Sequence, residues 1–363
     1  MASEKLFIDV PPFPEEAETA PIHTIPLADL RAKDGTAAKK LLAACQELGF
    51  FLLDLRNDEI GEAMTEEIDQ LFGLGKDLFN IPREVMDQYP HEIPKSFLGF
   101  KPRGQVKTET DEPDRFEWFN MGQDGLMGTT PMQQLPPLLK SHLPIYQTFL
   151  KHGQAIVADV CSTLATQLGL PEDTFTSRKS PSEQSGTVVR ITKSFASPDP
   201  TDLRTSMTHH SDFGTVTLLA NVLGGLQILA PGKAATDEDA WLWVRPQPGC
   251  LIVNLGDVMV QWTAGLLRSN VHRVYYAPGQ QRFVDRYSLA LLVRPQRNAS
   301  MRRVIGNAAT AEDVEDENLT AWEWEVKKTM ALKRGDAIAE SKGGRTVPVE
   351  SARYAYISES RES

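Results

Sequence analysis

The residues able to do chemistry gather in the C-terminal half of the chain. The run Thr208-His209-His210-Ser211-Asp212-Phe213-Gly214 places an imidazole and a carboxylate two residues apart. In extended chain, residues i and i+2 face the same way. His210 and Asp212 then offer two ligands to one metal ion, while His209 turns to the opposite face. A plainer reading of the same run is a turn capped by the Asp212 carboxylate, and His-x-Asp by itself does not separate the two. A third ligand has to come from elsewhere. Of the seven histidines, His23, His91, His142 and His152 fall on an N-terminal arm, a loop and the helical half. Only His272 follows the motif, on a strand-like run over residues 270–276.

Two imidazoles and one carboxylate leave metal positions open, a set that suits Fe(II) with room for a bidentate small molecule and O2. A second pair follows within one strand and turn. Arg286-Tyr287-Ser288 begins the last long strand-like run, so Arg286 and Ser288 share a face. A guanidinium fork beside a hydroxyl makes a carboxylate-binding pair; the plain alternative is a surface Arg and a solvated Ser on an edge strand.

The elements that must position these residues are legible as a change of grammar along the chain. Residues 1–25 are rich in Pro and Glu, which favours an extended arm, with folding proper starting near Ile25. Residues 37–48 carry Leu41, Leu42, Cys45 and Leu48 at helical spacing, closed by Gly49. Residues 50–53 read as a buried strand and 61–79 as an amphipathic helix. Residues 82–124 read as loop with short strands at 97–101 and 116–120. The longest helical pattern covers 137–170. After Pro181, short β-branched and aromatic runs repeat between turn signals, at 187–193, 215–221, 226–229, 241–244, 250–254, 259–263, 270–276 and 286–293, with Gly224-Gly225 as a hairpin turn. Such a series predicts a sandwich, barrel or jelly roll. Residues 317–333 return to helix, and the tail from Gly335 reads as loosely ordered.

Composition narrows the function. The chain has 363 residues, 41% hydrophobic and 24% charged, enough for a full core and unlike a disordered chain. Its 38 Lys and Arg against 49 Asp and Glu leave a net charge of −11, which repels nucleic acid and anionic membrane surfaces. There is no basic-then-apolar leader and no run of apolar residues long enough to span a bilayer. Cys45, Cys161 and Cys250 are far apart and odd in number, against a disulfide framework or zinc knuckle. A cytoplasmic protein is expected; the oligomeric state is left open. Asp212-Phe213-Gly214 spells a kinase tripeptide, but no companion kinase motif occurs.

With these residues in view, the chain resembles the Fe(II)/2-oxoglutarate-dependent dioxygenases of the isopenicillin N synthase-like superfamily, in particular the small-molecule enzymes of plants and fungi. The resemblance rests on Ile25-Pro26-Leu27 and Gly49-Phe50-Phe51 near the N-terminus, and on Gly99-Phe100 and Asp114-Arg115-Phe116-Glu117 in the middle. Later come His210-x-Asp212, Gly225-Leu226-Gln227, Val253-Asn254-Leu255-Gly256-Asp257, Ser269-Asn270-Val271-His272-Arg273 and Arg286-x-Ser288, all in the family's order. It implies a mainly β fold with flanking α: a double-stranded β-helix (jelly roll, cupin-like) over 181–300, wrapped by an N-terminal helical region (1–180) and a C-terminal helix and tail (301–363). It implies that His210, Asp212 and His272 bind Fe(II), that Arg286 and Ser288 hold the distal carboxylate of 2-oxoglutarate, and that O2 is consumed. The activity implied is oxidation of a small organic substrate by hydroxylation, desaturation, epoxidation or a related outcome, as in specialised-metabolite biosynthesis. Many relatives carry Tyr on the strand that begins at Arg190, where this chain has Lys193 and Ser194. The pocket walls are expected from 97–104, 116–121, 194–207 and the helix after Ala308, with Phe100, Trp118, Phe195 and Met207 making an apolar lining. The rival readings are an iron oxidase of the same fold that does not use 2-oxoglutarate, a non-catalytic jelly-roll binding protein, and a hydrolytic zinc enzyme.

Overall fold

A computed structural model describes the protein outside residues 1–3, 93–95, 107, 109–110, 198, 200–201, 203–204, 307–315, 335–339, 345–354 and 357–363. Residues 307–315 and most of the expected loose tail therefore lie outside the described residues, whereas the helix expected over 317–333 is present as Ala321–Lys333. Two β-sheets face each other. The larger has eight strands: β1 (Thr24–Pro26), β2 (Phe50–Asp54), β3 (Gly99–Lys101), β4 (Phe116–Gly122), β5 (Val188–Ser194), β7 (Val216–Asn221), β10 (Cys250–Leu255) and β13 (Arg286–Val293). Its order is β1-β2-β10-β7-β13-β5-β4-β3. The smaller has four, β6 (Met207–His210), β8 (Leu226–Leu229), β9 (Trp241–Trp243) and β12 (His272–Val274), in the order β6-β12-β8-β9. A short β11 (Arg268–Ser269) pairs outside both, with Lys342–Gly343. This is the expected jelly roll, and strands β1–β4 from the N-terminal 180 residues extend its larger sheet on both edges.

Period-two alternation explains how the larger sheet can be apolar and polar at once. On β13, Leu289, Leu291 and Val293 are buried in the main core, while Arg286, Ser288, Ala290 and Leu292 line the space between the sheets. On β5, Val189 and Ile191 face the core and Arg190, Thr192 and Ser194 face inward. The core side is covered by helices Glu59–Leu78 and Leu143–Gln167, which pack on each other and on β13. Each leucine or valine so buried contributes about 1.5–3 kcal/mol. At one end, Phe50, Leu52, Leu226, Ile228 and Ile252 fill the space between the sheets with a second apolar cluster. Their presence leaves the other end to polar side chains.

Most expected elements are present at shifted bounds, with two exceptions. The run at 259–263, read as a strand, is a helix, Asp257–Trp262. Its β-branched and aromatic residues misled the reading, but Val258, Met259 and Trp262 are buried at spacings of one and three, and the Trp262 indole donates to Ser300 O. The pattern over 137–170 divides into Pro137–Ser141 and Leu143–Gln167. Pro144 has no N–H to donate and its ring clashes with the carbonyl four residues back, so one continuous helix cannot form. The N-terminal arm opens with a short helix, Glu4–Ile8, where composition predicts extended chain, and further on it bonds to the edge of β9: Ala20 N donates to Trp243 O and Trp243 N to Glu18 O. Among the described residues no helix is long and apolar enough to cross a membrane.

Candidate active site

His210 ends β6 and His272 opens β12, and the pairing of these strands sets the two histidines opposite each other, their rings 4.4 Å apart between centroids. Each Nδ1 faces a carbonyl two residues back, Thr208 O at 2.9 Å and Asn270 O at 3.2 Å. A carbonyl can only accept, so the proton belongs on Nδ1 and the Nε2 lone pair is left for the cleft. Asp212 is held from the other side. Its Oδ2 accepts from Thr217 Oγ1 at 2.6 Å and from Asn254 Nδ2 at 2.8 Å, two residues that face each other across β7 and β10. Its Oδ1 lies 3.9 Å from Nε2 of both His210 and His272. The ligand atoms of the three residues all lie within 4.8 Å of one another.

The electrostatics suit donation to a cation. Burial, then the neighbouring His272 ring, pushes His210 down to about 4, so the imidazole is neutral near pH 7. Burial raises the Asp212 carboxyl, but the two imidazoles and the bonds from Asn254 and Thr217 outweigh it and hold the group at about 2. Two imidazoles and one carboxylate, stripped of bulk water and aimed at one point, fit a divalent metal ion. Behind them, Asp257 ties the ligand-bearing segments together. Its carboxylate accepts from Ser211 Oγ at 3.1 Å and Ser269 Oγ at 2.6 Å, and its backbone N–H donates to Asp212 O at 2.8 Å.

Arg286 stands in the same cleft, buried, with Nε donating to Gly224 O at 2.8 Å. Among the described residues no carboxylate lies within ion-pair distance of it. Burial alone lowers its guanidinium to about 10, so it stays charged. Ser288 lies on the same face, opposite Thr192 of β5, and Ser194 sits opposite Arg286. An unpaired buried cation beside hydroxyls is a seat for an anion. Gly225, at φ +118°, allows the turn that brings the Gly224 carbonyl to Arg286; a Cβ there would lie 2.9 Å from Tyr275 O and 3.2 Å from Arg286 Cδ.

The cleft that joins these groups encloses about 630 Å³, its open mouth included. It brings together all five residues singled out in the sequence, His210, Asp212, His272, Arg286 and Ser288. His209 turns away, as alternation requires, and meets the Trp241 ring. Lys193 also faces out of the cleft, where it pairs with Asp285 at 3.2 Å. Of the four apolar residues expected in the lining, Met207 is in place. Phe100 is not, being 3% exposed within the main core. Several residues of the expected wall over 194–207 lie outside the described residues. Sequence reading missed Arg190, Thr217 and Asn254 as cleft residues. The available signal was their alternation with core residues on β5, β7 and β10.

A jelly roll with this ligand set and an unpaired guanidinium between its sheets has the form of a non-haem metal oxygenase that takes an acidic cosubstrate. Comparison with known proteins agrees. Residues 187–295 match the 2OG-Fe(II) oxygenase superfamily, and residues 23–137 match the N-terminal region described as "non-haem dioxygenase in morphine synthesis N-terminal". The chain is 28% identical over 309 residues to a 2-oxoglutarate-dependent dioxygenase of Aspergillus fumigatus, with 80% of each chain covered. It is 29% identical over 308 residues to one from Dothideomycetidae sp., covering 84% of this chain and 91% of the relative. Among solved structures, a full-length Neurospora crassa protein in complex with alpha-KG superposes with a TM-score of 0.71 at 22% identity, over 88% of this chain and 98% of that one. A 2OG-Fe(II) oxygenase family protein from Caulobacter crescentus superposes with a TM-score of 0.68 at 25% identity, over 86% of this chain and all of that one, 100%. The chain belongs to the 2OG-Fe(II) oxygenase superfamily and is an Fe(II)/2-oxoglutarate-dependent dioxygenase.

Proposed function

We propose that His210, Asp212 and His272 hold the Fe(II), that Arg286 and Ser288 hold the distal carboxylate of 2-oxoglutarate, and that the substrate is a small organic molecule of the specialised-metabolite type. The observation that carries this reading is the convergence of Nε2, Nε2 and Oδ1 within 4.8 Å, in one cleft with a guanidinium that has no carboxylate of its own among the described residues. Bound there, Fe(II) with 2-oxoglutarate and O2 supplies the power to oxidise a C–H bond while the cosubstrate is decarboxylated to succinate.

The chain's own residues bind, orient and exclude. Thr217 and Asn254 fix one oxygen of Asp212 and leave the other free. The Thr208 and Asn270 carbonyls fix the tautomer of both histidines. Arg286 and Ser288 lie along β13 so that a diacid held there reaches inward along the strand. Leu219, Leu226, Ala290 and Leu292 give the cleft an apolar surface beside these polar groups and limit water. The Neurospora crassa protein has also been solved with thymine, which supports a substrate of small-molecule size in a cleft of this kind. Residues 181–300 supply every proposed anchor, 1–180 the helical backing and outer strands, and 301–363 the closing helix. Three free cysteines, two of them buried, favour a reducing compartment, the cytosol.

The test needs no substrate. Purified protein is loaded anaerobically with Fe(II), 2-oxoglutarate is added, and the visible metal-to-ligand charge-transfer band is recorded for wild type, His272→Ala and Arg286→Ala. A band in the wild type that is lost in His272→Ala and weakened in Arg286→Ala is expected. Iron binding without a band overturns the cosubstrate assignment in favour of an oxidase that does not use 2-oxoglutarate, and absence of iron overturns the triad.

A further inference from the structure

The cleft holds a second guanidinium that the reading above leaves without a task. Arg190 lies on the inward face of β5, opposite Ala290 of β13 on one side and Asn120 of β4 on the other. It is fixed in place: Nε donates to Asn120 Oδ1 at 2.8 Å, and the guanidinium lies 3.9 Å from the centre of the Trp118 ring, which His91 in turn meets edge-on. These contacts occupy one N–H and one face of the group and leave its terminal amines for the cleft, which Arg190 lines.

Four other enclosed cations of this chain carry their own carboxylate. Arg294 is paired with Glu325, Lys101 with Asp114, Arg115 with Asp202 and Arg273 with Glu238. Arg190 has no such partner among the described residues. Burial and the nearby Arg294 lower it only to about 9, so it is charged at neutral pH, and the one opposite charge it feels is Asp212. That carboxylate is the proposed metal ligand and cannot serve both. An enclosed cation without a partner is costly, and a ligand that supplies the partner removes the cost.

The charge of the loaded cleft gives the same answer. Arg190, Arg286 and Asp212 are the charged side chains that line it. Adding a divalent iron and the dianion of 2-oxoglutarate leaves one positive charge in excess. Arg190 also stands apart from the cosubstrate seat: its cross-strand partner Ala290 is four residues along β13 from Arg286, roughly 13 Å at ~3.3 Å per residue.

We propose that Arg190 binds an anionic group of the substrate and that the enzyme acts on a monocarboxylate. The proposal rests on the iron and 2-oxoglutarate assignment made above. Trp118, beneath the guanidinium, orients the group and supplies an aromatic surface at the edge of the site. Arg190 thereby sets specificity by charge, while Asn120 acts as a positioning residue for it.

The experiment compares aryl- and alkyl-carboxylic acids, each beside its own primary amide, for binding to the anaerobic Fe(II)–2-oxoglutarate protein, followed by tryptophan fluorescence and by 2-oxoglutarate-dependent succinate release. Acids should bind at least about tenfold more tightly than their amides, the scale of one charge-assisted pair out of bulk water. Arg190→Gln should abolish that preference and keep the charge-transfer band, and Arg190→Lys should retain part of it. Equal binding of acid and amide to the wild type, no acid that binds, or a preference that survives in Arg190→Gln overturns the proposal. Loss of the band in Arg190→Gln overturns it as well, by giving Arg190 to the cosubstrate. The wild-type comparison stands even where the variant does not fold. Absence of the band in the wild type is a different failure, that of the iron and cosubstrate assignment itself.

Discussion

Thr217→Val tests whether the protein or the metal orients the Asp212 carboxylate. The substitution is close to isosteric and deletes one hydroxyl, whose oxygen lies 2.6 Å from Asp212 Oδ2. Asn254 still donates to the same oxygen at 2.8 Å. A hydrogen bond to a charged group contributes about 1.5–3 kcal/mol, and loss of such outer support typically lowers metal affinity 10–100-fold. With Asn254 in place, the single variant belongs at the low end: about 1.5 kcal/mol, or roughly tenfold weaker Fe(II) binding at about 1.4 kcal/mol per decade. Thr217→Val with Asn254→Leu frees Oδ2 altogether and should weaken binding roughly 100-fold. Thr217→Ser restores the donor and should restore most of the affinity. The assay is anaerobic competition for Fe(II) against a chromophoric chelator, with circular dichroism to show that the metal-free fold survives. Affinity unchanged within about twofold in both the single and the double variant would refute the reasoning, because the carboxylate would then be oriented by the metal alone.

Three further outcomes are expected. Gly225→Ala forces a Cβ onto a residue at φ +118° and to 3.2 Å from Arg286 Cδ; strain of roughly 1–3 kcal/mol should weaken 2-oxoglutarate about tenfold with Fe(II) affinity unchanged, read from titration of the charge-transfer band, and an unchanged titration refutes the role given to that turn. His91 is held down to about 4 by burial, then by Arg190 and two further cations, so the folded state resists its protonation. Its contribution is fully present above the ordinary value of about 6.5 and is lost as pH falls from there toward 4. Between pH 7 and 5 the wild type should lose about 2 kcal/mol more than His91→Gln, measured by urea unfolding at both pH values; parallel losses would show that His91 does not carry this linkage. Gly153 of helix Leu143–Gln167 approaches β13 so closely that an added Cβ would lie 2.4 Å from Leu291 Cδ2 in the core. Gly153→Ala should therefore destabilise by about 1–3 kcal/mol through overpacking, and a variant as stable as the wild type would place that helix farther from the sheet.

What was legible in the sequence was whatever depends on neighbours along the chain. His210 and Asp212 share a face because they are two residues apart, and so do Arg286 and Ser288; the cleft contains all four for that reason. His272 was within reach because it was the one histidine left on a strand-like run. The misreadings came where tertiary contacts decide. The helix Asp257–Trp262 carries strand-like residues, yet it forms because Asp257 is tied by Ser211 and Ser269 from two other segments. Phe100 is an aromatic on a strand expected to wall the pocket, and only the pairing of β3 with β4 shows that it points to the helices' side of the sheet. Arg190 was invisible as a functional residue because its significance is the absence of a carboxylate nearby, which no local pattern records.

Fold and site depend on the same register. On β13 the residues alternate between a helix-covered core and a cleft that must hold charge, so a slip of one residue would drive Arg286 and Ser288 into the apolar layer and expose Leu289 and Leu291 to the cleft. The apolar half of each strand offsets what the polar half costs: the same strand that buries Leu289, Leu291 and Val293 carries a guanidinium with no carboxylate beside it among the described residues. β5 repeats the arrangement with Val189 and Ile191 on one side and Arg190 on the other. Two such cations on adjacent strands are tolerable in an empty cleft only while that apolar layer is intact, and filling the cleft with anions should raise stability. Thermal unfolding should therefore shift upward on adding 2-oxoglutarate to the Fe(II) protein, and upward again with a monocarboxylate that Arg190 accepts, because each ligand binds the folded state alone.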